Sequence, residues 1–167
     1  NQTSIELTPE EKKDTLTWAM NNWVEGMMKA TGGYVTAWDV VNEAISGGGN
    51  DEGFYTLQSA SNVSPEDAKN NFYWQDYLGN VDYVRIVVAA ARKYYAENGG
   101  TAPLKLFVND YNLESDWDDN KKAKSLVHWI EKWEADGKTK IDGIGTQMHV
   151  SCYANAATQK SKEDHVV

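Results

Sequence analysis

Three apolar stretches of this chain each run into a cluster of amides, carboxylates or imidazole. Val40-Val41 leads into Asn42-Glu43, Leu106 to Val108 into Asn109-Asp110-Tyr111-Asn112, and Ile144 to Thr146 into Gln147 and His149. Amides and carboxylates together hold vicinal hydroxyls, because each offers donors or acceptors at the spacing of neighbouring ring oxygens. A carboxyl such as Glu43 beside Asn42 also suits acid/base work on a glycosidic bond. That chemistry uses two carboxyls, one as acid/base and one as nucleophile or as base for water. The second is not evident: Asp110 is a formal candidate, but its N-D-Y-N setting suits a positioning residue. Each group has a plainer reading as well: Glu43 as a solvated strand end, Asp110 as an Asx turn and His149 as a structural histidine.

Other chemistries lose their usual support. There is no G-x-S-x-G elbow, no P-loop and no G-x-G-x-x-G turn after a strand. Three scattered histidines and a single cysteine, Cys152, make neither a metal site nor a disulfide framework. Sixteen Lys and Arg against 25 Asp and Glu leave a net charge of -9, which argues against a nucleic-acid partner. No apolar run reaches the roughly 18 residues of a membrane span. Seven Trp and nine Tyr are many for 167 residues. Their flat faces suit stacking on sugar rings, although most single Trp residues serve a core.

The elements that must carry these groups alternate. Thr8-Pro9 with Glu11 reads as a capping box opening a helix whose face is Leu16, Met20, Trp23 and Met27, stopped at Gly32-Gly33. Tyr34 to Asn42 reads as a buried strand, residues 46 to 64 as a long Gly- and Asn-rich loop, and Ser64-Pro65 as the start of a short element. A helix with the stripe Val81, Val84, Val88, Ala91 and Tyr95 follows, then a strand from Leu104 to Val108. A third main helix is expected to open at Asp118-Asp119 with Ala123, Leu126, Val127, Ile130 and Trp133 inward, followed by a strand from Lys140 to Val150 and a polar tail. Asp39, inside the first strand, is expected to need a partner, because an unpaired charge is costly in a buried strand. This order predicts an α/β fold with parallel strands and crossover helices, either an open doubly wound sheet or part of a closed barrel. The length is too small for a whole (β/α)8 barrel, which takes roughly 200 residues or more.

The stretches WDVVNEA (Trp38 to Ala44), LFVNDYNLE (Leu106 to Glu114) and IDGIGTQMHV (Ile141 to Val150) resemble glycoside hydrolase family 10, the retaining endo-β-1,4-xylanases with a (β/α)8 TIM barrel. The resemblance implies that residues 1–167 are an incomplete segment of a single catalytic domain, from about the third helix through the sixth strand. It implies that Glu43 is the acid/base, that Asn42 binds the hydroxyl beside the scissile bond, and that Asn109 and Tyr111 line the cleft. Gln147 and His149 match the sixth-strand pair, His149 orienting the nucleophile, while Trp38 and Asp39 look structural. The family's nucleophile is a Glu on the seventh strand, in a T-E-L-D-like context that this chain lacks. The loop between Glu43 and Tyr73 is longer and richer in Gly and Asn than the family pattern, and lacks its Arg and Ser.

The implied activity is retaining hydrolysis of xylan by the complete domain, with xylan or xylo-oligosaccharide and the remainder of the barrel as partners and no metal or redox cofactor. Secretion, to the periplasm, cell surface or medium, is inferred only from the polymeric substrate. A polysaccharide-binding domain without a nucleophile, another (β/α)8 hydrolase clan and a self-contained open-sheet domain are the alternatives. A three-stranded slice alone is expected not to be stably folded, because its missing neighbours would leave apolar faces bare.

Overall fold

A computed structural model describes residues 5–166. In chain order the elements are α1 (Pro9–Thr31), β1 (Ala37–Asn42), α2 (Pro65–Asn70), α3 (Trp74–Leu78), α4 (Asp82–Glu97), β2 (Lys105–Asp110), α5 (Lys121–Glu134), β3 (Gly143–Thr146) and α6 (Ala156–Val166). Helix α1 starts where its capping box dictates. Thr8 Oγ1 accepts the Glu11 N–H at 3.2 Å, and Glu11 Oε2 accepts the Thr8 N–H at 2.8 Å. The helix ends on Gly32 with φ +53°. Gly33 follows with φ +80°, and a Cβ there would lie 2.5 Å from the Gly99 carbonyl oxygen, so only glycine lets the ends of α1 and α4 meet.

The three strands form one parallel sheet in the order β1-β2-β3. Leu106 and Val108 of β2 are wholly buried, in one apolar cluster with Val84 and Val88 of α4, Leu126 and Trp133 of α5, and Met20 and Val24 of α1. The other face carries Asp39, Asn42, Phe107 and Asn109, beside Gly143 and Gly145. A parallel sheet with its helices on one face is a barrel segment, since a doubly wound sheet carries them on both.

Polar groups fasten the helices to the sheet. Arg85 of α4 donates to the Trp133 and Lys132 carbonyls at 3.0 Å each, satisfying the end of α5. Trp133 Nε1 donates to the Asn80 carbonyl at 2.9 Å. Asp142, just before β3, accepts the Leu106 N–H at 3.0 Å and Arg92 Nη2 at 2.9 Å. Burial opposes its charge, yet these donors outweigh it and hold the carboxyl below the usual range.

Several sequence expectations are corrected. Helix α5 opens at Lys121, not at Asp118, because Asp119 and Asn120 take φ +56° and +55° and turn the chain first. Its inward stripe is Lys122, Ser125, Leu126, Trp129 and Trp133, with Val127 exposed. The two polar members of that stripe disguised its phase. Strand β3 is four residues, not eleven. Asp39 is exposed, because β1 pairs with β2 alone among the described residues, and the unpaired charge is solvated. The tail after β3 carries α6, tied back by Lys162 Nζ to Asp116 Oδ1 at 2.6 Å. A further short helix spans Trp74–Leu78. Of the seven Trp, Trp129 and Trp133 are buried and Trp18, Trp23 and Trp117 are exposed.

Candidate active site

The carboxyl ends of the three strands converge. Register places Asn42 opposite Asn109 and Asn109 opposite Gly145. The ladder runs one step further on each side: the Glu43 N–H donates to the Asn109 carbonyl at 2.8 Å, and the Gln147 N–H to the Asp110 carbonyl at 3.0 Å. Beyond that point the backbone turns. Glu43 has φ +53° and Met148 φ +51°, left-handed conformations that non-glycine residues seldom adopt. Such strain collects where the surrounding structure dictates a side chain's direction.

The side chains form one hydrogen-bonded chain. Gln147 Nε2 donates to Glu43 Oε1 at 2.8 Å and to Asn42 Oδ1 at 3.3 Å. Asn109 Nδ2 donates to the same Asn42 oxygen at 3.0 Å. His149 Nε2 lies 2.9 Å from Gln147 Oε1. The assignment is self-consistent: with both Gln147 amide hydrogens spent on acceptors, its oxygen takes a hydrogen from His149 Nε2. Glu43 is half-buried while Asn42 and His149 are exposed, and of its two carboxyl oxygens only Oε1 takes part in this network. Gly145 makes this possible, since a Cβ there would come within 2.7 Å of Asn109 Oδ1.

The structure thus brings Asn42, Glu43, Asn109, Gln147 and His149 together and leaves Tyr111 apart. Tyr111 is held by Lys122, whose Nζ sits 3.3 Å from the ring centroid, and stands at the rim outside the network. Asp110 does position the site. It is wholly buried, 2.8 Å from Lys122 Nζ, and its carboxylate accepts the Ile45 N–H at 3.1 Å and the Tyr111 N–H at 2.8 Å. It therefore joins the loop after Glu43 to the end of β2. Burial, and then the Asp110 charge, push the Tyr83 phenol upward.

Sequence reasoning missed two contributors. Lys122 was hidden among the polar residues opening α5. Gln58, in a loop read as irregular, donates from Nε2 to the Glu43 carbonyl at 2.7 Å. No spacing signal marks either. An open groove of about 620 Å³ runs from Glu43 along the free edge of β1, walled by Trp23, Val24, Phe72 and Trp74. Among the described residues no second carboxylate joins the Glu43 network, and no group of three His, Cys, Asp or Glu could hold a metal. No helix among them is long and apolar enough to cross a membrane.

Parallel strands with one-sided helices, whose carboxyl ends converge on a carboxyl held by an amide, define a barrel segment that carries its polar site at the strand ends. The model of Glycosyl hydrolase family 10 matches residues 2–164, and this chain belongs to that family. It is 32% identical over 148 residues to endo-1,4-beta-xylanase C of Paenibacillus barcinonensis, covering 84% of this chain and 11% of the relative. Against endo-1,4-beta-xylanase 2 of Claviceps purpurea it is 32% identical over 139 residues, 83% of this chain and 34% of the relative. Among solved structures, an endo-1,4-beta-xylanase from Caldicellulosiruptor owensensis superposes with TM-score 0.58 and 25% identity, over 99% of this chain and 41% of that one. Xylanase B of Clostridium stercorarium F9 shares the fold with TM-score 0.62 at 24% identity, over 94% and 39%. The chain therefore spans about a third or less of these curated relatives, and its fold is part of a (β/α)8 barrel.

Proposed function

We propose that residues 1–167 supply the acid/base half of a retaining endo-1,4-β-xylanase whose other carboxylate lies outside this sequence. The observation that carries the reading is the Gln147–Glu43 hydrogen bond, which ties the half-buried Glu43 carboxyl to the amide that also holds Asn42. Family membership and the xylanase names of the relatives support the substrate.

In the first step Glu43 protonates the glycosidic oxygen as it leaves, and a carboxylate about 5–5.5 Å away attacks the anomeric carbon. In the second, Glu43 takes a proton from water, which frees the sugar. Asn42 holds the hydroxyl next to the scissile bond; Asn109 and Gln147 fix the Asn42 amide so that its Nδ2 hydrogens face the sugar. His149 orients the nucleophile through its second ring nitrogen, Nε2 being committed to Gln147. Tyr111 offers a ring at the rim. The remainder of the barrel completes the cleft, and the enzyme works outside the cell, where xylan is found.

The test is Glu43→Gln in the complete domain. Xylan turnover is expected to fall on the order of 10²–10⁴-fold, the usual contribution of a positioned acid. Near-normal turnover would falsify the assignment.

A further inference from the structure

The chain between β1 and α2 does not behave as its composition suggests. Residues 45 to 57 fold back on themselves through bridges pairing Ile45 with Leu57 and Asp51 with Phe54. The hairpin then lies on α5. Asp51 meets His128 Nε2 at 2.9 Å and also Lys132, and its carboxyl is held below the usual range chiefly by Lys132. Phe54 stacks on the His128 ring, with centroids 4.3 Å apart. The Tyr55 N–H donates to Ser125 Oγ at 2.8 Å, and Trp129 Nε1 donates to the Tyr55 carbonyl at 2.9 Å. A Gly-rich loop is thereby fixed at five points to a helix of the scaffold.

What this anchored hairpin delivers is Gln58. Its backbone N–H donates to the Ala44 carbonyl at 2.8 Å and its Nε2 to the Glu43 carbonyl at 2.7 Å, while Gln75 Nε2, itself nearly buried, donates to the Gln58 carbonyl. Glu43 sits at φ +53°, a conformation the chain would otherwise leave. Its N–H is held by Asn109 and its carbonyl by Gln58, so the peptide units on both sides are fixed and Cα–Cβ can point only one way. We infer that Gln58 is a positioning residue for Glu43, and that the hairpin's attachment to α5 exists to present it. This rests on the acid/base reading of Glu43 and deepens it.

General-acid help matters in proportion to how poor the leaving group is. A xylan alkoxide needs the proton; a dinitrophenolate departs without it. Loss of Gln58's donor therefore predicts a loss that depends on the substrate. In the complete enzyme, Gln58→Met and the isosteric Gln58→Glu are each expected to lower kcat/KM on xylan by roughly 10–100-fold, the scale of a small misplacement of a catalytic group. On a 2,4-dinitrophenyl β-xylobioside the rate of the glycosylation step should change less than about threefold on the same argument. Equal losses on both substrates, as general destabilisation would give, overturn the inference, and so does no loss on either. Glu43→Ala serves as the reference. If it too fails to separate the two substrates, the acid/base reading itself is overturned. If it separates them while neither Gln58 variant does, only the role of Gln58 falls.

Discussion

Asp110 and Lys122 form an ion pair of 2.8 Å with side-chain exposures of 0% and 6%, on the side of the sheet away from the open face. The carboxylate has three donors: Lys122 Nζ, the Ile45 N–H and the Tyr111 N–H. Lys122 in turn carries the Tyr111 ring. One buried charge pair thus sets the loop after Glu43, the end of β2 and the rim aromatic in a common frame.

Removing one partner leaves the other charged and buried. Lys122→Met is expected to destabilise the complete domain by about 3–5 kcal/mol, and the double variant Asp110→Asn/Lys122→Met to recover part of that loss. Urea unfolding of the three proteins measures it. A single variant within experimental error of the parent would show that the pair contributes little.

Gly145→Ala places a methyl 2.7 Å from Asn109 Oδ1. Asn109 must then swing away from Asn42, releasing the amide that orients it. Turnover of xylan by the complete enzyme is expected to fall roughly 10–100-fold, since a misplacement near 1 Å can cost as much. Steady-state kinetics decide it, and unchanged kcat/KM would remove Asn109 from the positioning scheme.

Acid should weaken the turn after α5 at a particular point. The Thr139 and Lys138 N–H groups, at 2.8 and 2.9 Å, hold the Asp136 carboxyl down to about 2, with Arg85 at 3.5 Å adding to them. A carboxyl with a depressed folded value contributes its stability above the unfolded value of 3.8, and loses it as pH falls through about 2. The difference in melting temperature between the parent and Asp136→Asn is therefore expected to shrink between about pH 4 and pH 2. A difference constant across that window would assign the turn's stability to other contacts.

The free edges of β1 and β3 bear on independent folding. Trp23 is 71% exposed and Ile144 44% exposed, both apolar and both beside an unpaired strand edge among the described residues. Amide exchange over residues 37–42 and 143–146 is expected to be faster in isolated residues 1–167 than in the complete domain. Equal protection would mean that this stretch folds alone.

Local signals account for what was legible beforehand. The capping box at Thr8 and Glu11, the glycines that stop α1, the face of α4 and the polar strand ends at Asn42, Asn109 and Gln147 are each written within a few consecutive residues. Parallel order follows from helix alternating with strand, and the convergence of the strand ends follows from parallel order. That is why five of the six expected site residues meet in one network. The rest depends on residues far apart in sequence. Gln147 reaches Glu43 across 104 positions, and Lys122 looks like a surface lysine until β2 brings Asp110 beside it. Asp51 finds Lys132 across 81 positions, which turns a loop of apparently flexible composition into an anchored hairpin holding the backbone of Glu43. Spacing encodes which face of an element is apolar; it does not encode which buried charge finds its counter-charge, because that is decided by distances that exist only once the sheet and helices have packed.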